Sequence, residues 1–380
     1  MHLRSGAERP EWRQQHTQLL IAFDKPARIA ASFGHSASLR AVARKPLTLI
    51  ENMTNFLPQT LRKHLLRTLL PALLLSAGNA HAESAAPFLW QVQGPHAKHY
   101  LLGSVHLLPQ DAAELPDGIA EAYDAAEGLV FESDIDALGK AQSTRTLLVA
   151  AKSRNGIKAE IDSATYAKLQ SRIAKLGMPA PLCEQYKAWF CALSLEVFAY
   201  QRAGFSGDYG LDRQLYGFAH DDHKAIAWFE PPAVHLGLFT DMKDPLAKEF
   251  LAAALSDDGA TGDEPRQMYK AWRDNDVAKL EGLVAELKSH FPEVYEHLLA
   301  RRNQAWSARL KTYLDGDQSQ LIVVGAAHWL GPDGLLTRLK TAGYKIKPFI
   351  ATDPEQITRA LPRPALITAT ALAGASGVGR

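Results

Sequence analysis

The chain has 380 residues, of which 47% are hydrophobic and 22% charged, and a formal net charge of +1. These proportions give ample material for a buried core and exclude a disordered chain or one embedded throughout in a membrane. The near-neutral balance offers no concentrated basic face for nucleic acid, so partners have to be read from sites rather than from bulk charge.

The first distinctive segment begins at Met53 with "MTNFLPQTLRKHLLRTLLPALLLSAGNAHAESA". Arg62, Lys63 and Arg67 form a basic start, Thr68 to Ala77 an apolar run too short to span a bilayer, and Ala80-His81-Ala82 a small-x-small cleavage site. Residues 53–82 therefore read as a signal peptide cut after Ala82, and the mature protein is expected in a periplasm or outside the cell. Residues 1–52 then read as an upstream extension from a misassigned start; an authentic basic arm followed by a buried helix is the alternative. Residues 83–361 are expected to form a single domain with no stable membrane span, followed by a disordered tail at 362–380 rich in small residues.

Phe88 to His106, "FLWQVQGPHAKHYLLGSVH", predicts two strands around a Gly-Pro turn, the second apolar enough to be buried. Pro109 to Glu127 reads as helix, and "GLVFESDID" from Gly128 to Asp136 as another buried strand, with parallel pairing and a right-handed crossover expected. A long helical insertion, about 138–315, follows. It is interrupted by one strand, "AIAWFE" at Ala225 to Glu230, which Pro231-Pro232 end. The last unit is again strand "LIVVGAAH", helix "GLLTRLKTAG" and strand "YKIKPFI". The fold class expected is α/β, with a mixed, largely parallel central sheet built from two strand-helix-strand halves and a large helical insertion between them.

The only cysteines are Cys183 and Cys191. Eight positions along one helix would hold them ~12 Å apart, beyond bridging distance, so they read as small core residues unless Cys183 precedes the helix. A cysteine-based metal site is not available, which leaves His, Asp and Glu as metal donors.

Two stretches echo each other. "YLLGSVHLLPQD" at Tyr100 and "IVVGAAHWLGPD" at Ile322 each carry an apolar run into Gly-x-x-His, and then a proline and an aspartate. In a sheet of this kind the carboxyl ends of the strands line the ligand crevice, and His106, Glu132, Glu230 and His328 all fall at or just past such ends. Gly103 and Gly325 would permit a sharp turn or the close approach of another group. Two imidazoles with one or two carboxylates suit a divalent Zn, Mn or Co ion with a position left open for water. Such an ion lowers the pKa of its water towards ~7, and a carboxylate not bound to it could act as general base.

A lone histidine at a strand end is more often a hydrogen-bonded structural residue, and it is the repeat that favours a site here. A carboxylate after a buried run, as at Glu132 and Glu230, is costly unless paired. Asp134 and Asp136 read as an exposed acidic turn, Asp208 as a turn residue and Asp212 as a helix cap. In "LLARRNQAWSARL", Arg302 could clamp a substrate carboxylate or stabilise an oxyanion, with Asn303 beside it; a solvated helix face is the alternative. Trp189, Trp272 and Trp306 read as packing residues. The chain contains no His-Glu-x-x-His, Gly-x-Ser-x-Gly, phosphate-loop or dinucleotide fingerprint.

Taken together, "YLLGSVHLLP", "LVFESD", "YKAWFCALSL", "GLDRQLYGFAHDDHKAIAWFE", "YKAWRDND", "RRNQAWSARL" and "LIVVGAAHWLGPDGLL" resemble the TraB/GumN family, distantly related to the Tiki metalloproteases. The likeness runs over roughly Phe88 to Phe349. It implies His106 and His328 as motif histidines, Glu132 and Glu230 as their acids, and Arg302-Asn303 as an arginine-asparagine pair. Three positions depart from the family pattern. "EPPAVH" has Pro231 and His235 where threonine and glutamine are usual, which makes His235 an additional candidate ligand, and Ala188 replaces a usual proline. The resemblance implies metal-dependent peptide hydrolysis outside the cytoplasm.

The sequence thus leads to an exported metal-dependent hydrolase of peptide or amide bonds. His106, His328, Glu132 and Glu230 are its candidate metal ligands. Glu132, Glu230 and Arg302 are the candidate catalytic groups, and Arg302 and Asn303 are expected at a peptide or small-molecule substrate. The rival reading, from a different class, is a non-catalytic periplasmic ligand-binding or scaffold protein using the same cleft.

Overall fold

The computed structural model describes residues 85–112, 115–256 and 263–351. The signal segment, the extension before it and the tail from Pro362 lie outside the described residues.

The first two strands form as the alternation predicts: β1 (Ala85–Gln93) and β2 (Lys98–Ser104) pair antiparallel around the Gly94-Pro95 turn. β3 (Leu108–Pro109) is a short strand that pairs with a later one. The helix expected from Pro109 starts only at Asp117, because Leu108–Pro109 is held in that pairing and Pro116 occupies the N-cap. It runs as α1 (Asp117–Ala125). β4 (Gly128–Phe131) is fully buried and stops one residue before Glu132.

The helical insertion includes Ala141–Ala151, Ser163–Leu176 and α2 (Ala188–Arg202). After β5 (Phe205–Ser206), the partner of β3, come α3 (Leu211–Asp221), β6 (Ala225–Trp228) and α4 (Pro232–Thr240). Helices Asp244–Ala254, Glu264–Arg273 and Val277–His290 lead through one wide π turn, Glu296–Ala300, into α5 (Arg301–Leu314). The chain closes with β7 (Gln320–Gly325), the one-turn α6 (Ala326–Trp329), α7 (Leu335–Thr341) and β8 (Ile346–Ile350). Cys183 does precede its helix, and the Cys191 thiol lies 3.7 Å from the Cys183 carbonyl oxygen, both residues buried.

The main sheet has six strands in the order β6-β4-β7-β2-β1-β8. β6, β4, β7 and β2 are parallel neighbours, while β1 runs antiparallel to both β2 and β8. The sheet is therefore mixed and largely parallel, as the sequence implied. The two halves are not set side by side, however. β7 is inserted between β2 and β4, and β8 crosses to the far edge beyond β1. Interleaving puts the apolar run of each motif in the centre, where Leu101, Leu102, Leu129, Val130, Leu321, Ile322, Val323 and Val324 are completely buried. Each such side chain contributes roughly 1.5–3 kcal/mol through burial, so the sheet centre is the most rigid support the fold can offer. Among the described residues no helix is long and apolar enough to cross a membrane.

Candidate functional site

The four contiguous parallel strands each deliver one polar residue at their carboxyl ends. In spatial order these are Glu230 after β6, Glu132 after β4, His328 after β7 and His106 after β2. Main-chain pairing continues past the strands, since the Glu230 N–H donates to the Glu132 carbonyl at 3.0 Å, and this fixes the two acids side by side. Ser104 lies opposite Gly325 in the β2–β7 register, so the two Gly-x-x-His motifs are offset by one residue between adjacent strands.

His106 lies in a bend beyond β2, and its Nδ1 donates to Asp212 Oδ2 at 3.1 Å. Gly210 makes that contact possible: a Cβ there would fall 2.2 Å from the His106 carbonyl oxygen, so only glycine lets the start of α3 come this close. Asp212 was expected as a helix cap. It sits instead in the first turn of α3, makes no capping bond, and is the acid partner of His106. Its charge is the largest influence on His106, raising the imidazole to about 9 against the opposing effect of burial. Because 56% of the His106 side chain is exposed, solvent screens part of that interaction.

His328 is set in the opposite environment. Gly325 is the N-cap of α6, and the turn carries His328 inward to 4% exposure. Its Nδ1 donates to Asn303 Oδ1 at 2.7 Å, while Asn303 Nδ2 is spent on the carbonyls of His328 and Asp333. That arrangement fixes the tautomer and leaves the Nε2 lone pair facing the cleft. Burial pushes the imidazole down to about 4, so it is neutral at physiological pH.

Arg302 stands at the centre. Nη2 donates to Glu132 Oε2 at 2.6 Å and Glu230 Oε1 at 2.7 Å, Nε donates to Glu230 Oε2 at 3.3 Å, and Nη1 donates to the Leu298 carbonyl at 3.2 Å and His328 Nε2 at 2.9 Å. All five guanidinium N–H groups are used, so Arg302 has no free donor for a substrate carboxylate in this arrangement. Its placement follows the wide turn at Glu296–Ala300, a local irregularity of a kind often found at functional sites.

Burial alone would raise both carboxyl groups. The Arg302 charge and the neighbouring histidines together outweigh it and hold Glu132 well below the usual range, and hydrogen bonds from His235 and Arg302 help hold Glu230 down. Glu230 is boxed in, accepting also from His235 Nδ1 at 2.7 Å and the Trp306 indole at 3.2 Å. Trp306, expected as a packing residue, is part of the site. Its ring lies 4.6 Å from His328 and 4.5 Å beneath the guanidinium. The spacing of Arg302 and Trp306, i and i+4 on one helix, was the available signal. Trp272 and Trp329 donate to the Gly103 and Leu102 carbonyls near the end of β2.

Gly325 shows what the hollow between these side chains could hold. With φ −51° and ψ 138° its backbone suits any residue, yet a Cβ would fall 3.2 Å from Glu132 Oε1, 3.6 Å from His106 Nε2 and 3.7 Å from His328 Cδ2. The glycine is there for space, not for a turn. His106 Nε2 and His328 Nε2 lie 4.0 and 3.8 Å from the same Glu132 oxygen, which also accepts the Gly325 N–H at 2.7 Å. The edge of a tetrahedral site with bonds near 2 Å is roughly 3.3 Å, shorter than either of these two separations. As they stand, no group of three or more His, Cys, Asp or Glu among the described residues is arranged to hold one. Glu230 is turned to Arg302, and Arg302 itself engages His328 Nε2.

A mixed sheet with two Gly-x-x-His strand ends, two buried acids and an arginine-asparagine pair defines the class. The profile of the TraB/PrgY/gumN family matches residues 88–348, and the chain belongs to that family. Among relatives, the proteins named "Uncharacterized protein YbaP" from Escherichia coli (strain K12) and Shigella flexneri are each 24% identical over 258 residues. Each alignment covers 65% of this chain and 89% of the relative. No solved structure matches the chain.

Proposed function

We propose that the protein is an exported hydrolase of peptide or amide bonds that uses a divalent ion, Zn, Mn or Co, held by His106, His328 and Glu132. The observation that carries this reading is the convergence of those three donors on the hollow at Gly325. The distant likeness to the Tiki metalloproteases points the same way, and the signal pattern from Met53 supports export. When bound, such an ion polarises a carbonyl and brings a water molecule towards neutral acidity.

The protein's own groups supply the rest. Asp212 orients His106 and Asn303 orients His328, which keeps each Nε2 directed inward. Glu132 uses one oxygen on the hollow and the other on Arg302, so it stays ionised without turning away. Glu230, backed by Trp306 and His235, fixes Arg302, whose charge lies beside the place where negative charge would develop on a substrate oxygen. With His106 Nε2 given to the ion and its Nδ1–H to Asp212, proton transfer would fall to Glu230, the acid outside the ligand set.

The test is a titration of chelator-stripped, dialysed protein with Zn²⁺ and Co²⁺, alongside cleavage of a peptide library. One ion should bind per chain at micromolar supply, and His106→Ala should weaken binding at least tenfold. If the wild type takes up no ion, or if His106→Ala leaves the titration unchanged, the metal site is refuted. Bound metal with no cleavage by either protein would favour the ligand-binding alternative.

A further inference from the structure

The atom that a cation in this pocket most needs, His328 Nε2, is already engaged. Arg302 Nη1 lies 2.9 Å from it, and its N–H fills the one lone pair that the Asn303 bond leaves available. The same guanidinium bridges Glu132 and Glu230, both 10% exposed or less at the side chain, and offsets part of their buried negative charge. An arginine here does electrostatically what a metal would do: it holds the acids ionised and close together, and it orients the neutral imidazole.

The grip is also built to be released on one side only. Arg302 meets Glu230 with two groups, Nε and Nη2, and Glu230 is anchored in turn by His235 and Trp306. The Trp306 ring forms a flat floor beneath the guanidinium. By contrast Nη1 holds His328 through a single hydrogen bond and has a second acceptor, the Leu298 carbonyl, at 3.2 Å. A small pivot about the Glu230 edge therefore frees Nε2 without stranding the charge.

We propose that Arg302 is an internal cation that stands in for the metal, and that a divalent ion is admitted by taking His328 Nε2 from Nη1 while Arg302 stays on Glu230. This rests on the reading that the pocket takes a divalent ion. It makes Arg302 the residue that sets how tightly the ion is held, a positioning residue rather than a substrate clamp.

Calorimetric titration of the stripped full chain with Zn²⁺, together with the visible absorption of Co²⁺, tests it on wild type, Arg302→Met, Arg302→Lys and His328→Ala. Methionine keeps an apolar stem over Trp306 but removes the competing cation, so Arg302→Met should bind at least ten times more tightly than wild type, and His328→Ala should bind far more weakly. Damage to the fold alone would not raise affinity. If wild type binds and a folded Arg302→Met binds equally or less tightly, the stand-in role is overturned while the metal reading survives. If neither binds, the metal reading fails and takes this one with it. Binding seen only in Arg302→Met overturns the proposal, because the wild type then admits no ion. Should Arg302→Met fail to fold by circular dichroism, Arg302→Lys decides: it should bind at least threefold more tightly than wild type, and equal or weaker binding rejects the proposal.

Discussion

His106 and His328 close the same short motif on adjacent strands, yet they end in opposite chemical states. His106 is exposed, paired with a carboxylate and raised to about 9; His328 is buried, paired with an amide and lowered to about 4. The difference lies in what packs behind each ring. α3 brings Asp212 against the bend after β2, while α5 brings Asn303 and Arg302 against α6. A repeated motif thus fixes where two imidazoles arrive, and the elements packed against them decide which one carries charge at neutral pH. At neutral pH one ring carries a proton, and the other is neutral with its Nε2 accepting from Arg302.

The largest effect is expected on the acid that both histidines approach. Glu132→Ala leaves Arg302 with one acid and removes the acceptor of the Gly325 N–H, and it should cost about 3–5 kcal/mol in urea unfolding. A loss under about 1 kcal/mol would mean that the buried network is not what holds the strand ends together.

Exchanging the partners breaks the comparison directly. Asp212→Asn should bring the His106 titration, followed by NMR, from about 9 down towards its ordinary 6.5 while leaving His328 in place. Asn303→Asp should raise His328 from about 4 by ~2 units, because a carboxylate then faces Nδ1. If both rings titrate alike in the wild type, the asymmetry is wrong.

The same asymmetry sets the pH dependence of stability. His328 and the fully buried His99 are both held below the ordinary 6.5, so the stability they provide as neutral groups is present above pH 6.5 and declines below it, for His328 down to about 4. His106 acts the other way: its raised value contributes below pH 6.5, and that contribution is lost as the pH rises through about 9. Thermal unfolding should therefore weaken towards both ends of this range, and Asp212→Asn should abolish only the alkaline decline.

The smallest effect on stability is expected from Gly325→Ala. The backbone accepts alanine, so the melting temperature should shift by less than about 3 °C. The added methyl would nevertheless lie against Glu132 and His106, and ion affinity should fall at least tenfold. Unchanged affinity would locate the ion elsewhere.

Much of this site was legible along the chain. Apolar runs bounded by Gly-x-x-His, and acids placed directly after "LVF" and "AIAWF", mark strand ends because a polar side chain after a buried run has to emerge somewhere useful or be paired. Asp212 was not legible as a partner of His106, since they are 106 positions apart and an aspartate near a helix start has a common local explanation. Trp306 read as packing because a tryptophan on an amphipathic helix almost always packs. Only the facing elements reveal that its indole N–H ends on Glu230.

By itself the sequence determined the strands, the alternating architecture, the four side chains at the crevice and the arginine-asparagine pair behind them, all of which depend on local periodicity and on where apolar runs stop. The tertiary structure decided the interleaving of the two halves, the one-residue offset between the motifs, and the protonation state of each histidine. Those depend on contacts between residues far apart in the chain, because a charge or a hydrogen bond acts through a few ångströms of space, whatever the number of residues between its partners.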